Sequence, residues 1–203
     1  MKALGRFLIF TGVMFILLAA IWAMHMEREE IRAEEEAATA LIELGEAIKA
    51  GRASEKEAQS GAEEPLPEDD IPFVIIDGHS YIGYLSIPEL SLELPVQLDW
   101  SLKKLEKSPC RYAGSLACGN LIIAGHNYRK HFTPLKKLTV GSRVLFTDVE
   151  DVQYDYTVSE ILAIKGTDTQ RMLADEADWN LTLFTCTYGG GSRLTVRCIR
   201  QTE

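Results

Sequence analysis

Residues 181–200, LTLFTCTYGGGSRLTVRCIR, read as two short strands joined by a glycine-rich turn. Thr182, Leu183, Phe184 and Thr185 favour an extended backbone, and Leu194, Thr195, Val196 and Ile199 resume that pattern after Gly189, Gly190 and Gly191. Cys186 therefore ends one strand and Arg193 begins the next, and a hairpin brings their side chains together. A guanidinium beside a thiol favours the thiolate, which is the nucleophilic form. Taken alone, a cysteine in such a strand is more often a small buried hydrophobe. The wider sequence argues otherwise. Leu121-Ile122-Ile123-Ala124-Gly125-His126-Asn127 is an apolar run that ends in Gly-His, sixty residues before the cysteine, and Arg193 follows the cysteine by seven.

Thr182-Leu183-Phe184-Thr185-Cys186 resembles the TLxTC signature of the sortases, cysteine transpeptidases that attach proteins to Gram-positive cell walls or build pili. The Gly-His of residues 125–126 and the arginine at 193 fall in that family's order, and the resemblance runs from about Tyr81 to Arg200. It implies three roles. Cys186 is the expected nucleophile, forming a thioester with the carbonyl of a C-terminal sorting signal. His126 is the expected proton carrier for the leaving and incoming amines. Arg193 is the expected donor to the developing oxyanion. Thr185 and Tyr188, which flank the nucleophile, are candidate substrate-groove residues, although Thr185 equally suits the inside of a barrel. Arg197, four residues after Arg193, is the rival arginine, and Arg193 is preferred as the one nearer the cysteine end of the hairpin. His131 lies in a loop with Arg129 and Lys130 and reads as a surface residue.

The chain opens with MKALGRFLIFTGVMFILLAAIWAMHM, in which Phe7 to Met24 form an uncharged run of eighteen residues. That length meets the threshold for a membrane-spanning helix. Lys2 and Arg6 precede it and acidic residues follow, so the positive-inside rule places the N-terminus in the cytoplasm and the rest outside. A cleaved signal peptide is the alternative, with Ala19 and Ala20 as small residues near a cleavage site. The run exceeds a typical signal core, and Trp22 suits an interface, so a retained single-pass anchor over residues 1–26 is expected. No cysteine lies directly after the run, which excludes a lipoprotein.

Residues 27–70 carry 15 acidic against 5 basic side chains, a net of −10, while the whole chain is only −9. The acidity belongs to this segment and not to residues 71–203, where 14 bases nearly balance 15 acids. Glu27 to Lys49 is rich in Ala and Glu, with Leu41, Leu44 and Ile48 at helical spacing, and reads as a helical stalk. Gly51 to Asp70 loses apolar residues, gains Pro65 and Pro67, and reads as a linker. A solvated spacer is the expected role of this stalk. The alternative is an appendage that packs back on the domain, as N-terminal extensions do in several sortases.

Residues 71–203 suffice for one core. Strands are expected at Phe73 to Ile76, Tyr81 to Ile87, Leu90 to Val96, Asn120 to His126, Arg143 to Asp148, Gln153 to Ile164 and the two halves of the opening hairpin. Pro95 suggests an edge or strand end. Short helical turns are expected at Ser101 to Lys107, near Pro134, and at Arg171 to Ala174. The fold class is all-β, a closed barrel of seven or eight short strands with short helices, preceded by the anchor and stalk. The sortase resemblance implies eight.

Cys110 and Cys118 lie in a stretch read as loop-rich, where an extracellular location permits a disulfide. Free thiols are the preferred expectation, because many exported proteins of such organisms avoid disulfides. No metal-binding pattern, cofactor motif or phosphate loop is found, and near-neutral charge on residues 71–203 argues against nucleic acid. The expected partners are the membrane, sorting-signal-bearing surface proteins or pilins, and an amine acceptor from a cell-wall peptide or pilin lysine. Gly166 to Asn180 is short for the helix-bearing insertion of class B sortases, whose N-terminal appendage this chain otherwise resembles, and suits class D or a clostridial-type group better. A cysteine hydrolase and a non-catalytic, membrane-tethered binding module stand as alternatives. The full Cys-His-Arg set argues against the second.

Overall fold

The structure, a computed structural model, describes residues 2–51, 71–173, 179–187 and 189–201. The linker read at Gly51 to Asp70 lies, but for Gly51, outside the described residues, as do Ala174 and Tyr188. Nine strands are described: β1 (Val74–Ile76), β2 (His79–Ile87), β3 (Leu92–Gln97), β4 (Cys110–Ala113), β5 (Leu121–Gly125), β6 (Arg143–Asp148), β7 (Gln153–Lys165), β8 (Leu181–Cys186) and β9 (Ser192–Arg200). They pair in the order β1-β2-β3-β4-β5-β8-β9-β7-β6, and a further β2–β6 pairing closes strands β2 to β9 into an eight-stranded barrel. β1 adds to the start of β2 beside the seam.

Closure requires β2 and β6 to approach closely at Gly83. A Cβ there would lie 2.1 Å from the Thr147 carbonyl oxygen, and the residue holds φ +145°, so only glycine fits. Inside the barrel, alternate residues of each strand form the core. Leu121 and Ile123 of β5, Leu181 and Leu183 of β8, and Val196 and Cys198 of β9 pack with Phe132, Phe146 and Tyr156. Cys198 is a filler of this core, fully buried, with its thiol pushed up to about 12 by burial.

Two local expectations are corrected. The stretch from Cys110 to Cys118 is not all loop: Cys110 to Ala113 form β4, which pairs antiparallel with β5 and meets β3 in one parallel bridge, Gln97 with Cys110. Cys110 is buried, Cys118 is exposed, and both are free thiols. Pro95 sits within β3 and not at its end, so of the two positions expected for it the edge is the one that holds. Its strand tolerates it because one edge is paired only at that single bridge.

The stalk expectation also changes. α1 (Lys2–Lys49) is one continuous helix, about 72 Å long at 1.5 Å per residue. Its first half exposes Phe7, Phe10, Ile16, Leu17 and Trp22, and it is long and apolar enough to cross a membrane. Its second half is no free spacer. Ala33, Ala37, Ala40, Leu44, Ala47 and Ile48 recur at helical spacing and are all buried. The alanines let the helix lie close, while Leu44 and Ile48 pack with Val74, Ile76, Tyr81 and Val149. Leu41, counted in the apolar stripe, is only half-buried. Ion pairs line the contact: Glu30 with Arg129 (3.2 Å), Glu34 with Lys130 (3.0 Å) and Glu36 with Lys107 (3.4 Å). Three of the stalk's acidic side chains thus have basic partners on the barrel.

Candidate active site

Three neighbouring strands bring the candidate residues together. β5 runs parallel to β8 with Gly125 opposite Thr185, so His126, the next residue, comes alongside Cys186. β8 runs antiparallel to β9 with Cys186 directly opposite Arg193. Adjacent strands lie about 4.8 Å apart, so the register alone sets the three residues in a row across the sheet. Arg197 is opposite Thr182 instead, four residues farther along the strand.

The same alternation decides which face they share. Leu181, Leu183 and, with them, Thr185 belong to the inward set, and Thr185 is 2% exposed. Its place is in the barrel, which removes it from the groove beside the nucleophile. Phe184 joins a separate cluster on the outside of the barrel with Ile122, Ala124, Ile164 and Met172. Cys186 follows Phe184 on that outer face and is exposed, even with α1 docked. After the one-turn helix α2 (Leu102–Leu105), the next helix, α3 (Thr169–Leu173), lies over the outer cluster, and its Met172 reaches in to meet the Thr195 hydroxyl.

The turn between Cys186 and Arg193 is tight. Thr187 N–H donates to the Ser192 carbonyl (3.0 Å) and Gly190 N–H to the Thr187 carbonyl (2.9 Å). Gly189 and Gly190 both hold positive φ, +88° and +70°, which explains the glycine run. Arg193 is partly buried and donates from Nη1 to the carbonyls of Gly190 (3.1 Å) and Ser192 (3.3 Å). Gly166 lies against its guanidinium. Arg197, by contrast, is 3% exposed. Its guanidinium lies 3.4 Å from the centre of the Trp179 ring and donates to the Arg171 carbonyl at 2.6 Å. It clamps the connection that carries α3 and is not at the cysteine.

His126 is placed by its glycine. The Phe132 ring lies against Gly125, where a Cβ would come within 2.3 Å of it, and Phe132 N–H donates to the His126 carbonyl at 3.1 Å. The loop after β5 thereby folds back over the strand end. His126 is half-buried, its Nδ1 has no hydrogen-bond partner, and burial lowers its pKa against the opposing pull of Glu106, Glu30 and Glu29. The neutral imidazole is favoured there.

His131 corrects a reading. It is fully buried, not a surface residue, because α1 closes over its loop. The Ala33 backbone faces the ring without completing a hydrogen bond, and neither ring nitrogen has a partner. Burial drives its pKa down to about 4, with His126 adding to the effect. Arg129 and Lys130, its neighbours in sequence, do point outward, which is why the stretch read as surface.

Sequence reading missed two features. Tyr112 on β4 meets Phe184 edge to face at 5.1 Å and Trp100 at 5.3 Å, extending the apolar outer face away from Cys186. The short alternation of β4 was its only signal. Tyr128 stacks on His126, and nothing in a loop tyrosine two residues past a histidine announces this. Among the described residues no group of three or more His, Cys, Asp or Glu could hold a metal ion.

Known proteins share this fold. The family model described as Sortase domain matches residues 85–201. Sortase A of Bacillus anthracis is 30% identical over 116 residues, 55% of this chain and 54% of that protein, so the match spans about half the length of each. Among solved structures, the Clostridium perfringens Sortase D5 transpeptidase is 26% identical with a TM-score of 0.55, covering 64% of this chain and 83% of that one. Sortase C1 of Streptococcus agalactiae shares the fold at a TM-score of 0.58 and 24% identity, over 89% of this chain and 97% of that one. With the matched family model spanning more than half of its residues and an eight-stranded barrel carrying Cys186, Arg193 and His126 at adjacent strand ends, the chain belongs to the sortase family.

Proposed function

We propose that this protein is a membrane-anchored cysteine transpeptidase that cleaves a C-terminal sorting signal and transfers the acyl group to an amine. The observation that carries the reading is the register that sets His126, Cys186 and Arg193 side by side on the outer face of three adjacent strands. Cys186 gives its proton to the neutral imidazole of His126 as its sulfur attacks the scissile carbonyl carbon, forming a tetrahedral oxyanion. Arg193, whose guanidinium is steadied by the turn carbonyls, supplies hydrogen bonds to that oxyanion. His126 gives a proton to the leaving amine as the carbon–nitrogen bond breaks, leaving the acyl group on sulfur. An incoming amine then loses a proton to His126 as it attacks the thioester, and the departing sulfur takes that proton back, restoring the thiol and the neutral imidazole. No cofactor is needed.

The uncharged run from Phe7 to Met24 in α1 serves as a single membrane span with the N-terminus inside and the barrel outside. The acceptor is a cell-wall peptide amine or a pilin lysine, and the short connection around α3 accords with a class D-like enzyme, the class of the C. perfringens relative.

The test uses the full chain in detergent or nanodiscs, since removing α1 would uncover Leu44's partners on β1 and β2. Wild type and Cys186→Ala are incubated with a panel of sorting-signal peptides, with and without an amine acceptor, and products are weighed by mass spectrometry. Amide product dependent on Cys186 is expected. Hydrolysed peptide without amide would make the protein a hydrolase, and peptide binding without any product would make it a binding module.

A further inference from the structure

The assigned His126 lacks the support most catalytic histidines have. A carboxylate, amide or carbonyl normally accepts a hydrogen bond from the far ring nitrogen and fixes both tautomer and orientation. Here Nδ1 is buried with no partner. One residue past the end of β5, the ring is beyond the ladder that fixes the strand's own side chains.

Something else holds it. The Tyr128 ring lies nearly parallel to the imidazole, with centroids 3.8 Å apart and planes inclined by 25°. Tyr128 is itself fixed from three sides. Its carbonyl accepts from the N–H groups of His131 and Thr133, both at 3.1 Å. The His131 ring stands 5.4 Å behind it. α1 covers its outer edge, so that it shares a cleft with Ala33, Glu36 and Lys107 and is only 7% exposed. A flat, immobile surface is thus pressed against one face of the proton carrier.

We propose that Tyr128 is the positioning residue for His126, orienting the imidazole by stacking where a hydrogen-bonding partner would otherwise serve. The stack has two consequences. It removes ring rotations that would turn the proton-carrying nitrogen away from the substrate amines, and such misorientation is costly to rate. It also keeps water from one face of the ring. The ring face does both, and the phenol oxygen is not required. This inference rests on His126 being the proton carrier.

The test pairs turnover with a titration that does not depend on turnover, in the full chain. Tyr128→Phe, Tyr128→Leu, Tyr128→Ala and His126→Ala are compared for transpeptidation, and the His126 ring is titrated by NMR. Tyr128→Phe should match wild type in both. Tyr128→Leu, which keeps an apolar cover but no flat face, should lower kcat by about tenfold or more with little change in KM. Tyr128→Ala should lose at least as much and, by admitting water, move the His126 titration up towards its ordinary value. If Tyr128→Leu keeps wild-type kcat, or Tyr128→Phe loses as much as Tyr128→Ala, stacking is not what positions the ring and the inference fails. If His126→Ala keeps full activity, it is the assignment of His126 that fails, and the titrations still show whether the stack exists.

Discussion

His126 and His131 lie five residues apart in one loop and share a lowered pKa caused first by burial, yet they occupy different worlds. His126 is half-buried at the open end of β5, alongside Cys186 on the outer face. His131 is sealed between that loop and α1 with no partner for either nitrogen. The contrast shows how little residue type decides. The same imidazole is the proposed proton carrier where a strand ends beside a thiol, and a piece of packing where a helix closes over it. What separates them is the fold-back of the loop through Phe132 and the docking of α1.

Replacing each in turn gives the largest separation. Removing a positioned acid–base group costs on the order of a hundred- to ten-thousand-fold in rate. His126→Ala should therefore lower transpeptidation by that much while the melting temperature stays near wild type. His131→Phe should keep the activity of the folded enzyme. Equal losses of activity from both, measured against the folded fraction, would erase the distinction.

The docking of α1 gives the next effect. Leu44 is fully buried, and truncating such a residue costs about 2–5 kcal/mol. Leu44→Ala should loosen α1 and raise hydrogen exchange at Ala33 and at His131 together. Exchange confined to the helix would mean that His131 is sealed by its own loop.

Acid should separate the two histidines further. His131 titrates at about 4 when folded and near 6.5 when unfolded. Above 6.5 neither state binds the proton. Between 6.5 and 4 the unfolded chain takes it up and the folded chain does not, so stability falls as pH falls. The total is roughly 3 kcal/mol from the full shift, levelling below pH 4. Denaturant titrations from pH 7 to 4 should show this slope, and His131→Phe should flatten it. His126 contributes in the same direction but less.

The smallest effect belongs to the rim. Lys130 and Glu34 pair at 3.0 Å but are 66% and 45% exposed, and such pairs contribute about 0–1 kcal/mol. Lys130→Ala should barely move the melting temperature.

Much of this was legible in the sequence because it depends on short-range pattern. The hairpin of residues 181–200, its glycine turn and the facing of Cys186 with Arg193 follow from strand periodicity and the length of one turn. The choice of Arg193 over Arg197 follows from the same count. The Gly-His motif put His126 at the end of a strand, where β5 does end, and Gly125 leaves room for the Phe132 ring. What failed depends on contacts made across the sequence. His131 reads as surface because Arg129 and Lys130 flank it, and only a helix nearly a hundred residues earlier buries it. Four of the six buried α1 positions are alanines, which carry too little hydrophobic signal to mark a docked face. Thr185 was ambiguous between groove and barrel until pairing with Leu194 set its side.

The account stands or falls on Cys186. The chain holds four cysteines, of which Cys110 and Cys198 are buried while Cys118 and Cys186 are exposed. The decisive measurement is peptide mapping of the acyl adduct formed when this chain meets a sorting-signal peptide without amine acceptor. The account predicts a thioester on Cys186, absent in Cys186→Ala and discharged on adding an amine. An adduct on Cys118, or cleavage that persists in Cys186→Ala, would contradict it.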